Sequence, residues 1–445
     1  MTIPQPALPA TWRWQPLDSL SRVKVSTVDK KSYPDEVPVR LCNYTDVYYQ
    51  DVITSDLAFM EATASAEQIS RFSVQAGDVP ITKDSETSDD IGRPSYVPKD
   101  LPGVVYGYHL AIYRSFDPHY SRFIRYLFDS SFVRAELETR TPGVTRVGLS
   151  QDTLRNLRVP TPPPPVAAKI ADYLDHETAE IDAFIDQQSR LITLLDERRM
   201  ATAGELIRYP AHFDDGQLSQ DGLAPLKHLG TIALGKMLDT KQLDSTSTMH
   251  PYLRAANVQP LGVLKMDGLK KMRFTDHEKR ALTILAGDVV VVEGGVGGFG
   301  RAAFVPTDLP GVGFQNSIIR VRPNKQSDGR FIAYALILLR HRGYINTVSS
   351  VSSMPHFTAE KVARTPVPRL PRARQSEIAN ELDSLWRTHS IASADAQIAI
   401  DLARERRAAL ITAAVTGQID VTAKNKPAAE QLEDDIAQGL HREHA

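Results

Sequence analysis

Cysteine is almost absent from this sequence, and long apolar runs are missing altogether. Among 445 residues there is one cysteine, Cys42, which excludes an internal disulfide and a cysteine-built zinc site. No stretch approaches about 18 consecutive apolar residues, so we expect no transmembrane helix. Residues 1–11 lack the basic start and apolar core of a secretory signal, so we expect a cytoplasmic location.

Motifs for the common enzyme chemistries are also missing. The sequence has no phosphate-loop motif for a translocating motor and no Asn-Pro-Pro-aromatic motif for amino-methyl transfer. Its 12 histidines are scattered without metal-ligand spacing. Asp288 and Glu293 resemble a nuclease carboxylate pair, but glycines follow Glu293 where such a metal site needs a lysine. We therefore predict no catalysis and no cofactor.

The glycine-rich segment 294–300 contains a G-x-G-x-x-G pattern after a predicted strand. A dinucleotide or S-adenosylmethionine site would need a helix next, whose N-terminus holds the phosphate. Residues 301–306 instead predict a second strand, so we interpret the segment as a hairpin loop. The open alternatives are a purely structural hairpin and a loop that brings its backbone and Arg301 close to a phosphate.

The net charge of −2 conceals an uneven distribution along the chain. Residues 222–370 carry +10, whereas residues 1–162 carry −2, residues 163–221 carry −7 and residues 371–445 carry −3. The basic block suggests a polyanionic partner, although a basic surface with no partner would have the same composition.

The chain is an internal duplication. Five matches recur at an offset of 208 residues, and further matches upstream recur at 210 and 214, as loop insertions would cause. The matched pairs are Val159-Pro160 with Val367-Pro368, Ile170-Ala171 with Ile378-Ala379, Leu174-Asp175 with Leu382-Asp383, Glu197–Arg199 with Glu405–Arg407, Arg122–Ile124 plus Tyr126 with Arg330–Ile332 plus Tyr334, Ala76–Val79 with Ala286–Val289, and Arg40 plus Asn43 with Arg254 plus Asn257. Each copy is a globular part followed by a tail.

Both tails predict long helices. A proline-rich run, 160–165, predicts a stiff non-helical joint, after which apolar residues with a 4-3 spacing predict a helix to about Ile207. That apolar seam comprises Ile170, Leu174, Ile181, Phe184, Leu191 and Leu195. The second helix is predicted from Arg372 to about Thr416, with Gly417 as its stop. We expect the two seams to pack as an antiparallel pair, with two buried helices of one large domain as the alternative.

The globular parts predict a mixed α/β fold. Val289–Val292 and residues 317–321 read as strands, and residues 331–339 read as a short helix. The fold class is therefore two mixed α/β globular domains separated by two long antiparallel coiled-coil helices, with the pseudo-twofold organisation of a duplicated chain.

This organisation resembles the specificity subunits of Type I restriction–modification enzymes. Residues 8–14, which end in Trp12-Arg13-Trp14, look like the start of that family's first target-recognition domain. Residues 364–383 and 405–421 look like its distal conserved helix, and the ending from Arg406 to Val421 is close to a signature.

The resemblance implies boundaries, partners and a role for each part. It implies target-recognition domains at 1–160 and 208–365, helical spacers at 161–207 and 366–421, and a disordered tail at 422–445. Each domain would read one half of a bipartite double-stranded DNA site, and the helices would set the spacing. Methyltransferase subunits and motor–nuclease subunits would supply the chemistry, so this chain needs no metal, cofactor or membrane.

Basic side chains in polar, turn-rich stretches are the candidates for DNA contact, because cations hold phosphates and arginine reads guanine. They are Lys83, Arg93, Lys99, Arg114, Lys236, Lys241, Lys270, Lys271, Arg273 and Arg301. The loop 349–353 with His356 differs between the copies, so Ser352 and His356 are candidates for reading bases. Arg40, Asn43, Arg254 and Asn257 recur in both copies, which favours a role in the fold or at a phosphate.

Three alternatives stay open from the sequence. The chain could be a specificity chain of another restriction–modification class, a methyltransferase or nuclease with degenerate motifs, or a two-domain scaffold without a DNA role. Neighbouring genes would separate the first from Type I, methyl transfer by the purified chain would support the second, and failure to bind any duplex would support the third.

Overall fold

The computed structural model describes residues 6–141, 147–209, 222–238, 247–295, 298–349 and 355–421. The chain divides into two compact units, one formed by residues 1–188 with 397–445 and the other by residues 189–396. The predicted disordered tail, 422–445, lies outside the described residues. None of the helices in the described ranges combines the length and apolar character that a membrane span requires.

The first unit mixes short strands with helices. Its strands are β1 (Arg13–Pro16), β2 (Ser21–Val25), β3 (Val37–Cys42), β4 (Met60–Ala64), β5 (Asp78–Thr82), β6 (Asp84–Ser85), β7 (Val104–Tyr106), β8 (Leu110–Ser115), β9 (Val147–Gly148) and β10 (Arg158–Thr161). Its helices are α1 (Tyr44–Tyr49), α2 (Ala66–Phe72), α3 (Ser121–Asp129), α4 (Ser131–Thr139), α5 (Gln151–Arg155) and the first part of α6 (Pro164–Ile207). α2 begins at a capping box, in which Ser65 accepts from the Gln68 amide at 3.2 Å.

Two three-stranded sheets form the frame of this unit. One is antiparallel in the order β2-β8-β5, and the other has the order β4-β3-β7 with β3 and β7 parallel. β1 pairs with β10 immediately before α6. Phe123 and Leu127 of α3 share one buried cluster with Ile170 and Leu174 of α6, so the globular part and its helix have a common core.

The second unit repeats this plan. Its strands are β11 (Leu223–Pro225), β12 (Gly230–Leu234), β13 (Thr248–Leu253), β14 (Lys270–Phe274), β15 (Val289–Val292), β16 (Ala302–Phe304), β17 (Gly313–Phe314), β18 (Ile318–Pro323) and β19 (Pro366–Pro368). Its helices are α7 (Asp276–Leu282), α8 (Gly329–His341), α9 (Tyr344–Ser349), α10 (Ala359–Arg364) and the first part of α11 (Arg372–Val415), with the last part of α6.

The strand orders confirm the duplication inferred from the sequence. The second unit has an antiparallel sheet in the order β12-β18-β15-β16, and a mixed sheet in the order β14-β13-β17 whose last pair is parallel. β11 pairs with β19 just before α11, as β1 pairs with β10 before α6. The mixed α/β prediction, the strands at 289–292 and 317–321 and the helix at 331–339 are confirmed by β15, β18 and α8.

The two long helices, of 44 residues each, pack antiparallel within each unit. In the first unit Ile411 and Val415 of α11 share a buried cluster with Leu174 of α6. The Arg407 Nε forms an ion pair with the Asp182 carboxylate at 3.0 Å. In the second unit Arg199 donates to Ser390 at 3.2 Å, and the helices share the buried residues Met200, Ala203, Ile378, Leu382 and Trp386. The predicted antiparallel pairing is therefore confirmed.

The apolar seam is buried only towards the ends of the helices. Ile170, Leu174 and Ile181 are buried, but Phe184 is 40% exposed and Leu191 is 41% exposed, so the continuous seam predicted from periodicity is wrong in the middle. Periodicity shows that a face is apolar, and only the surroundings determine whether another surface covers it.

The predicted proline joint is also shorter than expected, because α6 begins at Pro164 and includes Pro165. Proline is tolerated in the first turn of a helix, where its missing N–H would have no partner inside the helix. The predicted stop of the second helix is confirmed, because Gly417 has φ +72° just beyond Val415. A Cβ at Gly417 would lie 2.6 Å from Pro9, so the first and last segments of the resemblance meet here.

Candidate nucleic-acid interface

A hairpin follows β5 in the first unit and β15 in the second, at equivalent places in the two copies. In the first unit the Thr82 N–H donates to the Arg93 carbonyl at 3.0 Å, and the Gly92 N–H donates to the Thr82 carbonyl at 2.9 Å. In the second unit the Val292 N–H donates to the Arg301 carbonyl at 2.8 Å, and the Gly300 N–H donates to the Val292 carbonyl at 2.8 Å. We call residues 83–93 the first hairpin and residues 293–301 the second hairpin; residues 296–297 lie outside the described ranges.

The hydrogen bonds make Arg93 and Arg301 equivalent residues. Each follows a glycine with positive φ, +77° at Gly92 and +72° at Gly300, a conformation that side chains other than glycine rarely adopt. The first hairpin is two residues longer than the second, which accounts for the change of offset from 210 at Asp78 to 208 further on. The prediction of a hairpin at 294–300 is confirmed by the antiparallel pairing of β15 with β16.

A second segment approaches the base of each hairpin. Asp84 pairs with Gly148 in the first unit, and Gly294 forms an isolated bridge to His356 in the second. Phe357 donates to the Glu293 carbonyl at 2.7 Å, and the His356 Nδ1 lies 3.2 Å from the Glu293 carboxylate. His356, a candidate base-reading residue, therefore lies beside the glycine hairpin that precedes Arg301.

In the first unit the hairpin borders an aromatic and acidic cleft of about 660 Å³. The Arg93 guanidinium lies 3.3 Å from Asp90 and 5.8 Å from the centre of the Tyr48 ring. The Tyr48 hydroxyl donates to Asp90 at 2.6 Å. Lys83 and His109 both contact Asp84, at 2.6 and 2.7 Å, so this site is a network of paired charges and aromatic rings.

In the second unit Arg340, in the last turn of α8, contacts the second hairpin. The Arg340 Nε donates to the Phe299 carbonyl at 3.0 Å. Burial and the nearby positive charge of Arg301 lower the pKa of Arg340. The Arg301 Nε is buried and has no hydrogen-bond partner in the part of the chain that the structure describes. The equivalent places therefore hold different side chains, Arg93 beside Asp90 and Tyr48 in one unit and Arg301 with Arg340 nearby in the other.

Arg114 has a position that favours a structural role. Its guanidinium makes two 2.7 Å hydrogen bonds to Asp78, whose side chain is fully buried. In the second unit Arg322 binds the buried Asp288 in the same way, at 2.8 Å. The repeated Ala-Gly-Asp-Val motif is thus the acidic half of a duplicated ion pair. Because Asp288 pairs with Arg322 and Glu293 contacts His356, the two carboxylates do not form a nuclease pair.

The remaining candidates are dispersed over both units. Lys99 is exposed in the first unit, and Lys270, Lys271 and Arg273 are exposed on or beside the outward face of β14. Lys236 is half-buried and forms a 2.6 Å ion pair with Glu278. Lys241 and Ser352 lie outside the described residues. Asn43 is buried as the N-cap of α1, and Asn257 is buried as the last residue of a short helical turn at Ala255–Asn257, which supports their role in the fold.

Tyr48 and Arg340 were not found from the sequence. Tyr48 lies in a short helix, and Arg340 lies in the last turn of α8, more than 35 residues from the hairpin residue that it approaches. No motif or spacing marks either residue, and the only signal was the general basic character of the second copy.

The chain is similar to a known protein family and to solved structures. Residues 224–398 match the model of the family described as the Type I restriction modification DNA specificity domain. A chain from a structure described as the structural basis of complex assembly and conformational transition of the type I R-M system is 15% identical, with a TM-score of 0.63. The match covers 93% of this chain and 100% of that chain, which shows that the two share a fold.

Two further solved structures are similar at lower scores. The HsdS subunit from Thermoanaerobacter tengcongensis is 14% identical, with coverage of 93% of this chain and 98% of that one and a TM-score of 0.47. The S subunit of a Type I restriction-modification system from M. genitalium is 15% identical, with coverage of 91% and 96% and a TM-score of 0.40. Comparison with curated protein sequences gives no significant match.

Proposed function

We propose that each globular part of this chain reads one half of a bipartite double-stranded DNA site. The chain belongs to the Type I restriction–modification DNA specificity family. One observation carries this proposal. The two units present the same hairpin frame with different side chains, a paired Arg93 beside tyrosines in one and Arg301 with Arg340 and His356 in the other. Two domains with the same backbone frame and different side chains at the hairpins suit a DNA target whose two halves differ in sequence.

The domain boundaries of the proposal follow the duplication. Recognition domains occupy residues 1–160 and 208–365, and helical spacers occupy 161–207 and 366–421. Lys83, Lys99, Lys236, Lys241, Lys270, Lys271 and Arg273 would hold phosphates in register, while Ser352, His356 and the side chains around Arg93 would approach base edges. DNA contact by Arg114 is the weakest of these assignments, because its guanidinium is already bound to Asp78.

The long helices are the proposed docking surface for methyltransferase subunits. In their central parts they expose large apolar side chains, which are Phe184, Leu191, Leu194, Ile391, Ile398 and Leu402, each between 40% and 60% exposed. Apolar side chains exposed in such numbers on helices are typical of interaction surfaces. Motor–nuclease subunits would join that assembly, and the chain itself would catalyse nothing in the cytoplasmic complex.

Exchange of one recognition domain tests this function. Replacing residues 215–365 with the matching part of another specificity subunit is expected to change the bases of one half-site only. The measurement is a map of methylated adenines in cells that carry the chimaera with its methyltransferase. As the reciprocal control, exchange of residues 1–160 should change the other half-site. A change in both halves after either exchange would show that the domains do not read independently.

The second hairpin makes a further prediction. Arg301→Ala is expected to weaken binding to specific and random duplexes about equally and to lower the slope of log affinity against log salt by about 1, because a phosphate contact contributes affinity without distinguishing bases. Binding of the assembled methyltransferase to both duplexes over a salt series measures this. Arg364→Ala is the matched control, since Arg364 is exposed and already pairs with Glu360 at 2.7 Å. Selective loss on the cognate duplex would instead assign Arg301 to a base.

A further inference from the structure

The globular part of the first unit is tied to α6 by a polar contact. The Tyr126 hydroxyl of α3 donates to Asp175 of α6 at 2.6 Å. Arg122, one turn earlier in α3, donates to the same carboxylate and also to Asp172 at 2.6 Å. We call Arg122, Tyr126 and Asp175 the first clasp. It joins the recognition domain directly to the helix, beside the buried contact of Phe123 with the α6 seam.

The second unit contains the same contact on α11. The Tyr334 hydroxyl of α8 donates to Asp383 at 2.6 Å, and Arg330 donates to the other oxygen of Asp383 at 2.8 Å. Arg330 also donates to Asn380 at 2.8 Å. Arg330, Tyr334 and Asp383 are the second clasp. Its three residues correspond to those of the first clasp at the single offset of 208.

The hydrogen bonds of the two clasps depend on direction, whereas the apolar packing beneath them does not. Apolar side chains such as Leu174 and Leu382, both fully buried, hold the domain against its helix but permit small rotations and slides. A tyrosine hydroxyl and an arginine fork on one carboxylate fix an angle as well as a distance. Burial and the neighbouring aspartate raise the pKa of both tyrosines, so each hydroxyl stays protonated and donates.

The ion pair of the first clasp contributes little to stability. The side chains of Arg122 and Asp175 are 35% and 44% exposed, and ion pairs as exposed as these contribute little to stability. Elsewhere the copies have diverged, as in the exchange of Lys83 for Glu293 and of Gly148 for His356 at equivalent places. Retention of this contact in both copies under such divergence favours a geometric task common to both domains.

We propose that the two clasps are positioning devices that set the angle of each recognition domain on its helix and thereby restrict the enzyme to one spacing between half-sites. Tyr126, Asp175, Tyr334 and Asp383 are then positioning residues that touch no DNA. This inference rests on the proposed function, since it presupposes that the domains read the half-sites.

The test uses the assembled methyltransferase and three duplexes with the same two half-sites. One duplex has the natural spacer, taken from the methylation map, and the others have spacers one base pair longer and shorter. Tyr126→Phe and Tyr334→Phe are each expected to lower the preference for the natural spacer about tenfold, the effect of losing one hydrogen bond to a charged group. Half-site preference should stay at the wild-type value. Tyr173→Phe, a half-buried tyrosine of α6 outside the clasp, is the control and should change nothing.

The outcomes separate the clasp from a structural role and from the proposed function. Unchanged spacer preference in both Phe variants would overturn the clasp proposal, and so would parallel loss of spacer and half-site preference with a lowered melting temperature. If the wild type itself shows no half-site preference, the proposed function fails instead. Should Tyr126→Phe not assemble, Asp175→Asn keeps an acceptor for the hydroxyl while removing the ionic contact, and it should still relax the spacer preference.

Discussion

Deletion of one heptad from each long helix is expected to shorten the spacer of the DNA target by about three base pairs or to abolish modification, with both half-site sequences unchanged. The deleted segments are Gln188–Leu194 in α6 and Asp395–Asp401 in α11. Seven helical residues correspond to about 10.5 Å, and about three base pairs of duplex have the same length. The expectation follows if the helices set the distance between the recognition domains.

The two segments are chosen to preserve the pairing of the helices. Asp182 pairs with Arg407 in one unit and Arg199 with Ser390 in the other, and removing both heptads leaves these partners in register. Removal of Gln188–Leu194 alone is the matched comparison, because it slips one helix against the other and should impair assembly with the methyltransferase. Methylation maps of the three strains give the measurement. Altered half-site bases with the old spacing would contradict the role of the helices.

Asp78→Ala is expected to lower the free energy of unfolding of the first unit by about 3–5 kcal/mol, because it leaves a partly buried guanidinium without its counter-ion. Asp78 is fully buried and accepts from Arg114, from the Gln75 amide at 3.0 Å and from the Tyr106 hydroxyl at 3.1 Å. The control, Asp56→Ala, removes an exposed carboxylate and should change stability by less than about 0.5 kcal/mol. Calorimetric unfolding of the chain provides the comparison.

The duplicated ion pair makes this experiment specific. Asp288→Ala should destabilise the second unit by a similar amount, since Arg322 binds Asp288 as Arg114 binds Asp78. Arg114→Ala distinguishes the structural role from the DNA contact predicted from sequence. We expect it to lower stability and to reduce DNA binding only in proportion to unfolding. Weakened binding by a fully folded Arg114→Ala protein would restore the assignment to DNA.

Local pattern was sufficient for the organisation of the chain. The repeated residues predicted two similar units, and the two units share their strand orders apart from one additional strand, β16, in the second. Apolar spacing predicted two long helices, and Gly417 predicted where the second one stops. These features depend on backbone preferences and on which face of a segment is apolar, and both can be read from neighbouring residues. The predicted non-helical run 160–165 ends earlier than expected, at Pro163, because proline fits the first turn of a helix.

The candidate site was predicted less completely. Charge and turn composition indicated Arg93 and Arg301, and the difference between the copies indicated His356; the fold places all three at or beside the two hairpins. The same criteria also selected Arg114, whose partner Asp78 is 36 residues away, and they passed over Arg340. Composition reveals that a side chain is basic, but not which carboxylate or second arginine it meets in space.

The sequence by itself determined that this protein is a duplicated chain with two mixed α/β parts, two long helices and no recognisable catalytic motif. Tertiary structure alone decided which polar side chains pair and which apolar faces stay exposed. Tyr126 contacts Asp175, and Tyr334 contacts Asp383, across about fifty residues of sequence. Phe184 stays exposed although it belongs to the same apolar seam of α6 as the buried Ile181. The physical reason is that helix and strand periodicity arise from local contacts, whereas hydrogen bonds, ion pairs and burial depend on distances that only the folded chain defines.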